Sequence, residues 1–128
     1  MVSLDSSFLI DLLAGEARAV ERASALDESR TPKFVTPPAA AEVLVGAYLV
    51  GGEYLAQAKA LVDGLTLLPF DREASHEAAR LSAELLRRGT PVGQGDLFIA
   101  AISKRHGEAV LTRDKRFGWI PGLSVVTY

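Results

Sequence analysis

The sequence predicts an α/β protein whose central parallel sheet is covered by helices on both faces. Two observations support this prediction. Five short apolar runs alternate along the chain with longer segments of helical periodicity, and this alternation is typical of parallel strands joined by helices. The 128 residues are 48% hydrophobic, which suffices for a core without a disulfide or a metal, so we expect one domain over residues 1–128.

The expected strands and helices alternate in order along the chain. The five predicted strands are residues 2–4, 34–35, 66–68, 109–112 and 124–126. An apolar helix begins near Phe8, and Thr36 before two prolines favours a second helix start. Residues 71–88 form the clearest helix, because alanine and leucine recur along one stripe and Gly89 ends it. Gly107 likewise ends a helix that finishes in KRHGE.

Composition and charge exclude several classes of protein. The chain has no cysteine, which excludes a disulfide scaffold, a thiol nucleophile and a cysteine metal site. The net charge of −2 provides no general attraction to nucleic acid, so any such role requires a local patch. No uncharged stretch is long and apolar enough to span a bilayer, and no secretory signal pattern opens the chain, so we expect a cytoplasmic protein without membrane contact.

Three segments of the chain each contain a lone carboxylate. Asp5 lies between a predicted strand and an apolar helix, Glu42 is the only charged residue of PPAAAEVLVGAYLV, and Asp96 is the only one of GTPVGQGDLFIAAIS. A buried ion is strongly destabilising unless something compensates its charge. Because carboxylate oxygens without sulfur ligands select hard cations, a shared Mg²⁺ or Mn²⁺ ion is the expected compensator.

A fourth carboxylate, Asp114, follows a predicted strand as Asp5 does. Both are therefore expected at the carboxyl ends of parallel strands, where open α/β sheets place their ligands, with Thr112 near enough to help hold a water or a phosphate. Each residue also has a structural alternative: Asp5 and Asp96 as helix N-caps, Asp114 as the start of an Asx turn, and Glu42 as a neutral or water-bonded core residue. The four together indicate a metal site more specifically than any one of them does.

The sequence resembles the PIN-domain ribonucleases of the VapC toxin type along nearly its whole length. The matching pieces are LDSSFLIDLL, TPPAAAEVLVGA, VGQGDLFIAAIS and AVLTRDKRFGWIPGLSVV. The resemblance implies a PIN-like three-layer α/β/α fold with a central parallel sheet and an active site of four carboxylates. Those four acidic positions fall here on Asp5, Glu42, Asp96 and Asp114. The hydroxyl residue of the last motif falls on Thr112, whereas Arg113 stands where asparagine is frequent.

The resemblance also implies a Mg²⁺-dependent endoribonuclease, with Mn²⁺ as a second possible metal. Asp5, Glu42 and Asp96 would hold the main ion, and Asp114 would complete a second site or orient the attacking water. Ser6 occupies a position that commonly carries a hydroxyl and is implied to assist metal or substrate binding. A metal-activated water would cleave RNA to leave a 5′-phosphate and a 3′-hydroxyl. Basic residues near these segments are candidates for RNA backbone contacts, namely Lys104, Arg113, Lys115 and Arg116.

The expected partners, besides RNA, are a VapB-type antitoxin and a second copy of the chain. The resemblance implies the antitoxin, and the stretch 43–62 is apolar on more faces than one sheet can cover, which favours a homodimer or an antitoxin contact there. Two alternatives belong to other classes. A phosphatase with an aspartyl nucleophile would need an acid two residues after Asp5, where Ser7 stands, and a non-catalytic PIN-like RNA- or partner-binding module would lack one of the four carboxylates.

Overall fold

The computed structural model describes all 128 residues and contains five strands and six helices, with a pair of helices between each two successive strands from β1 to β4. In chain order the elements are β1 (Val2–Leu4), α1 (Ser6–Leu13), α2 (Ala17–Glu28), β2 (Lys33–Val35), α3 (Pro37–Val50), α4 (Gly52–Asp63), β3 (Thr66–Leu67), α5 (Arg72–Arg88), α6 (Gln94–Arg105), β4 (Ala109–Leu111) and β5 (Val125–Val126). A short 3₁₀ helix, Lys115–Trp119, follows β4. The predicted α/β class is confirmed.

The central sheet is parallel throughout, and its strand order is β3-β2-β1-β4-β5. The first strand, β1, lies in the middle, with β2 on one side and β4 on the other. Leu4 at the end of β1 is opposite Leu111 at the end of β4, and the backbone N–H of Asp5 donates to the carbonyl of Leu111 at 3.0 Å. The residues that follow β1 and β4 therefore leave the sheet side by side at its carboxyl edge.

Helix boundaries follow the caps that the sequence supplies. The side chain of Thr36 accepts a hydrogen bond from the N–H of Ala39, and Asp71 accepts one from the N–H of Ala74 at 2.8 Å, so both act as N-caps. Gly89 ends α5 in the left-handed region, which only glycine adopts without strain. The starts of α3 and α5 and the end of α5 thus lie where the sequence predicts them.

The apolar stretch 43–62 is divided between two helices rather than forming one face. Gly51 and Gly52 have φ values of 76° and 58°, a left-handed conformation that ends α3 and begins α4 in a new direction. The strands are also shorter than predicted at β3, β4 and β5, although Leu68 and Thr112 still donate backbone hydrogen bonds to the neighbouring strand. These last differences lie within the usual uncertainty of where an element ends.

The core fills the space between the sheet and its helices. Its largest fully buried side chains are Leu4, Phe8, Leu9, Leu81, Leu85, Ile99, Ile102, Leu111 and Phe117. The stripe predicted on α5 is confirmed, since Ala74, Ala78, Leu81 and Leu85 are buried, and Glu77 is buried beside them. None of the helices combines the length and the apolar character required to cross a membrane.

Candidate active site at the carboxyl edge of the sheet

The four carboxylates singled out in the sequence are brought to one end of the fold. Asp5 follows β1 directly and precedes α1, and Asp114 lies just beyond β4. Glu42 lies in the second turn of α3 and Asp96 in the first turn of α6. Asp5, Glu42 and Asp114 all lie close enough to Asp96 for their charges to raise its pKa. The sequence-predicted set is therefore a spatial cluster.

Asp5 is the most enclosed of the four and is held by hydroxyl groups. Its side chain is buried, and its Oδ2 accepts hydrogen bonds from Thr112 Oγ1 at 2.7 Å and from Ser7 Oγ at 2.8 Å. Asp5 stands at the N-cap position of α1, but its side chain makes no capping hydrogen bond. The N-cap alternative therefore does not explain this carboxylate, which the two hydroxyls orient toward the sheet edge.

Glu42 is exposed, so the expectation that it lies buried in an apolar helix is wrong. The face of α3 that carries it opens to solvent because the helix covers the sheet with only one side, on which Ala39, Ala40 and Val43 are buried. Ser6 Oγ donates to Glu42 Oε2 at 2.6 Å and lies 3.5 Å from Asp5 Oδ1. One hydroxyl thus links two of the four carboxylates.

The absence of a side chain at Gly95 allows Glu42 to approach α6. A Cβ atom added at Gly95 would clash with Glu42 Oε1, so the Glu42 carboxylate would have to move. By contrast, a Cβ at Gly93, two residues earlier, would meet only Asp96 Oδ2 at an ordinary 4.0 Å. Gly95 therefore forms one wall of the space that the Glu42 carboxylate occupies.

Asp96 is not the N-cap of α6, because Gly93 holds that position and Asp96 lies inside the first turn. Burial, followed by the charges of Asp5, Asp114 and Glu42, raises the pKa of Asp96 to about 6. Arg116, whose Nη2 lies 3.7 Å from Asp96 Oδ2, lowers this pKa, but its effect is smaller than those of the three carboxylates. Burial and the neighbouring carboxylates together therefore favour the neutral form of Asp96.

Asp114 does form the Asx turn that was its structural alternative. Its Oδ1 accepts the backbone N–H of Arg116 at 3.0 Å, and its own N–H donates to Thr112 Oγ1 at 3.0 Å. The guanidinium of Arg116 also binds both carboxylate oxygens, with the shortest contact at 2.7 Å, and these hydrogen bonds lower the pKa of Asp114. The turn and the site are compatible, because the same turn holds Asp114 beside Thr112.

The basic residues proposed from the sequence fall into two groups. Arg113, Lys115 and Arg116 are exposed next to the cluster, Arg113 just after β4 and the other two in the 3₁₀ helix that follows. Lys104 lies near the other end of α6, where its Nζ contacts Glu77 at 2.9 Å and donates to the carbonyl of Pro121 at 3.2 Å. Lys104 is thus engaged in joining α5, α6 and the C-terminal loop, and we do not retain it among the RNA-contact candidates.

Two residues of the site had no assigned role at the sequence level. Ser7 orients Asp5 and lies 3.3 Å from Thr112 Oγ1, and Gly95 makes room for Glu42. The two consecutive serines after Asp5 could have indicated the role of Ser7, because both hydroxyls can reach the neighbouring carboxylates. Nothing in the sequence distinguishes Gly95 from a residue that simply opens a helix.

The donor set fits a hard divalent cation in its chemistry. All of its ligand atoms are oxygens, from four carboxylates and the hydroxyls of Ser6, Ser7 and Thr112, and the cluster has more negative charge than Arg116 alone balances. As the side chains stand, no three acidic or histidine residues form a ready-made metal-binding group. Complete coordination would therefore require side-chain rotation, including the release of Asp114 from Arg116.

The raised pKa of Asp96 predicts a pH-dependent stability of the metal-free protein. Because Asp96 has a pKa of about 6 when folded and about 3.9 when unfolded, the folded chain binds the extra proton between these values. The free energy of unfolding that Asp96 contributes must then fall as pH rises through this window. Urea denaturation in EDTA at pH 4.5 and pH 7 is expected to show wild type losing stability relative to Asp96→Asn. Parallel behaviour of the two proteins would contradict the pKa assigned to Asp96.

The fold and its acidic cluster define an α/β protein with a carboxylate-rich site at the carboxyl edge of a parallel sheet. A family model described as the PIN domain matches residues 2–123, and the chain belongs to this family. The resemblance to VapC proteins is confirmed by a curated relative, the tRNA(fMet)-specific endonuclease VapC of Salmonella typhimurium. It is 36% identical over 72 residues, which make up 56% of this chain and 54% of that protein.

Solved structures show the same fold over the full chain. The VapBC complex of Salmonella typhimurium bound to DNA contains a chain with a TM-score of 0.82 and 25% identity, covering 99% of this chain and 98% of that one. A chain of the VapBC2 complex of Rickettsia felis bound to a promoter DNA fragment has a TM-score of 0.83 and 18% identity. The match covers 99% of this chain and 98% of that one. By sequence, the chain spans about half the length of the curated relatives it matches.

Proposed function

We propose that the protein is a Mg²⁺- or Mn²⁺-dependent endoribonuclease, the toxin of a VapBC-type toxin-antitoxin pair, acting in the cytoplasm. The observation that carries this proposal is the convergence of Asp5, Glu42, Asp96 and Asp114 at the carboxyl edge of the sheet, with the electrostatic consequence at Asp96. Carboxylates alone repel a phosphodiester, so a cluster of this kind requires a cation before RNA can enter. The relative named as a tRNA-specific endonuclease supports the same reaction class.

Asp5, Glu42 and Asp96 are the residues we assign to the main ion, and Asp114 is assigned to a second ion or to the water. The chemistry that Mg²⁺ or Mn²⁺ supplies when bound is neutralisation of the phosphate charge and activation of water. Ser7 and Thr112 hold the Asp5 carboxylate in one orientation through Oδ2. Because the Thr112 hydroxyl also accepts the backbone N–H of Asp114, it connects the Asp114 turn to the Asp5 carboxylate.

Ser6 and Gly95 position Glu42 in this scheme. The Ser6 hydroxyl donates to Glu42 Oε2 and thereby keeps an exposed, flexible side chain next to Asp5. Gly95 leaves the room that the other carboxylate oxygen needs. The assignment of Glu42 as a ligand therefore depends on two neighbours, a hydroxyl donor and a missing side chain.

RNA backbone contacts are assigned to Arg113, Lys115 and Arg116, which follow β4. Each is exposed and lies within a few residues of Asp114, so phosphates on either side of a cleaved bond can reach them. Arg113 is partly engaged, since its Nε contacts Asp11 at 3.1 Å. These residues bind phosphate charge and carry no sequence preference by themselves.

Two partner surfaces support the toxin assignment. The end of α3 exposes Val45, Tyr48, Leu49 and Val50, an apolar surface that we call the α3 patch and assign to a second copy of the chain. An apolar groove of about 310 Å³ lies between α1, α2 and α4, lined by Leu12, Leu26 and Leu61 among others. A groove of this kind suits the apolar face of an amphipathic antitoxin helix, and similar folds are found in VapBC complexes.

Metal removal tests the proposal directly. Protein stripped with EDTA is expected to leave total RNA intact, and added Mg²⁺ or Mn²⁺ is expected to restore endonucleolytic cleavage with 5′-phosphate ends. The ends are read by ligation that requires a 5′-phosphate. If the protein binds RNA but cuts it with neither metal, the non-catalytic PIN-like module becomes the correct assignment. Cleavage that persists in EDTA would contradict the role given to the four carboxylates.

A further inference from the structure

Arg116 lies between two carboxylates of the proposed site and belongs to the same chain. Its Nη2 is 2.7 Å from Asp114 Oδ2 and 3.7 Å from Asp96 Oδ2. Its Nε lies 3.1 Å and 3.2 Å from the two oxygens of Asp114. The neighbouring Arg113 makes no such contact with the cluster, because it pairs with Asp11 instead.

The contacts of Arg116 use the oxygens that a metal ion would need. Both oxygens of Asp114 accept hydrogen bonds from Arg116, Oδ1 from the backbone N–H and Nε, and Oδ2 from Nε and Nη2. A carboxylate held by a guanidinium fork in this way offers few free lone pairs to another cation. A positive charge at this position also repels a divalent ion that approaches Asp96.

We propose that Arg116 is an internal competitor of the metal ion, which pairs with Asp114 and Asp96 until the ion displaces it. The inference rests on the proposed metal site and adds a determinant of its affinity. The exposed position of Arg116 makes displacement feasible, because the guanidinium can turn into solvent without breaking core packing. Once displaced, the same side chain is free to bind a phosphate of the RNA. Arg116 therefore pairs with the carboxylates before metal binding and with the RNA backbone after it.

The test is Mn²⁺ binding to the full chain without RNA, measured from the electron paramagnetic resonance signal of free Mn²⁺. Arg116→Gln leaves a shorter, neutral side chain that can still form hydrogen bonds, and it is expected to bind Mn²⁺ about three- to tenfold more tightly than wild type. Arg113→Gln is the matched control, because it makes the same charge change three residues before Arg116. Its effect is expected to be smaller than that of Arg116→Gln, because Arg113 acts on Asp114 through its charge alone and is paired with Asp11.

A second variant separates charge from geometry. Arg116→Lys keeps the charge but loses the planar fork, so its Mn²⁺ affinity is expected between those of wild type and Arg116→Gln. Equal affinities for Arg116→Gln and Arg113→Gln would overturn the inference, and so would weaker binding by Arg116→Gln in a protein whose circular dichroism is native.

RNA cleavage assayed in parallel separates this inference from the proposed function. If Arg116→Gln shifts the Mn²⁺ affinity while no protein cuts RNA, the role of Arg116 stands and the ribonuclease proposal fails. If wild type cuts RNA but the affinities do not differ, only the competitor role is lost. Failure of all the proteins to bind Mn²⁺ at millimolar concentration would overturn both.

Discussion

Asp5→Asn is expected to reduce the rate of RNA cleavage by at least about a hundredfold. Substitution of a residue that only supports a metal ligand typically costs about ten- to a hundredfold, and we assign Asp5 as a ligand itself. The substitution keeps the shape of the side chain and removes one negative charge from the centre of the cluster. Asp5 is the acid that Ser7 and Thr112 hold in place, so it has the best-defined position of the four. The measurement is the single-turnover cleavage rate in saturating Mg²⁺, compared with wild type.

The control for this variant is Asp63→Asn, which makes the same charge change on the exposed end of α4. It is expected to cleave RNA at the wild-type rate. In EDTA, the melting temperature of Asp5→Asn should equal or exceed that of wild type, because the variant relieves repulsion with Asp96. A native cleavage rate for Asp5→Asn would remove Asp5 from the site, and a clear drop in melting temperature would show that its main role is structural.

The position of Asp5 could be predicted from the sequence because two independent patterns specify it. A short apolar run followed by an apolar helix places Asp5 at the end of a strand, and a second apolar run places Asp114 just after another strand. Parallel pairing of β1 with β4 then brings the two together, as the register of Leu4 with Leu111 shows. The carboxyl ends of parallel strands lie at one edge of the sheet. The strand pattern in the sequence and the sheet topology therefore both place Asp5 and Asp114 at that edge.

Glu42 was selected for a reason that the structure does not support. The composition of α3 suggested burial on nearly every side, but only one side of the helix reaches the core. Four of its apolar residues, Val45, Tyr48, Leu49 and Val50, form the exposed α3 patch instead. A single helix sequence cannot distinguish a face that packs in the core from one left open at the surface, because both are apolar.

The contacts that refine the site lay beyond sequence analysis. The approach of Glu42 to Gly95 joins α3 to α6 across more than fifty residues of chain, and no periodicity encodes such a distance. The pairing of Arg116 with Asp114 is local, yet the sequence alone gives equal reason to expect a solvated arginine. The engagement of Lys104 with buried Glu77 also depends on how α5 packs against α6.

Leu49→Asp is expected to weaken self-association by about thirtyfold or more, the loss typical of a central residue in a protein interface. The side chain is 84% exposed, the highest value among the large hydrophobic residues, and it lies in the middle of the α3 patch. A charge there must be desolvated when two copies meet, whereas in a monomer it faces water. The monomer should therefore keep its melting temperature, which distinguishes lost association from lost folding.

Packing decides which apolar residue of the stretch 43–62 suits this test. Leu55 contacts the core, so a charge there would unfold the chain as well as disturb an interface. Leu86→Asp on α5 is the matched control, because Leu86 is 65% exposed and lies outside the α3 patch. Sedimentation velocity over a hundredfold range of concentration is expected to show a dimer for wild type and Leu86→Asp and a monomer for Leu49→Asp. Wild type that stays monomeric at the highest concentration would show that α3 is not a dimer surface. The antitoxin groove between α1, α2 and α4 would be unaffected by that result, since Leu49 does not line it.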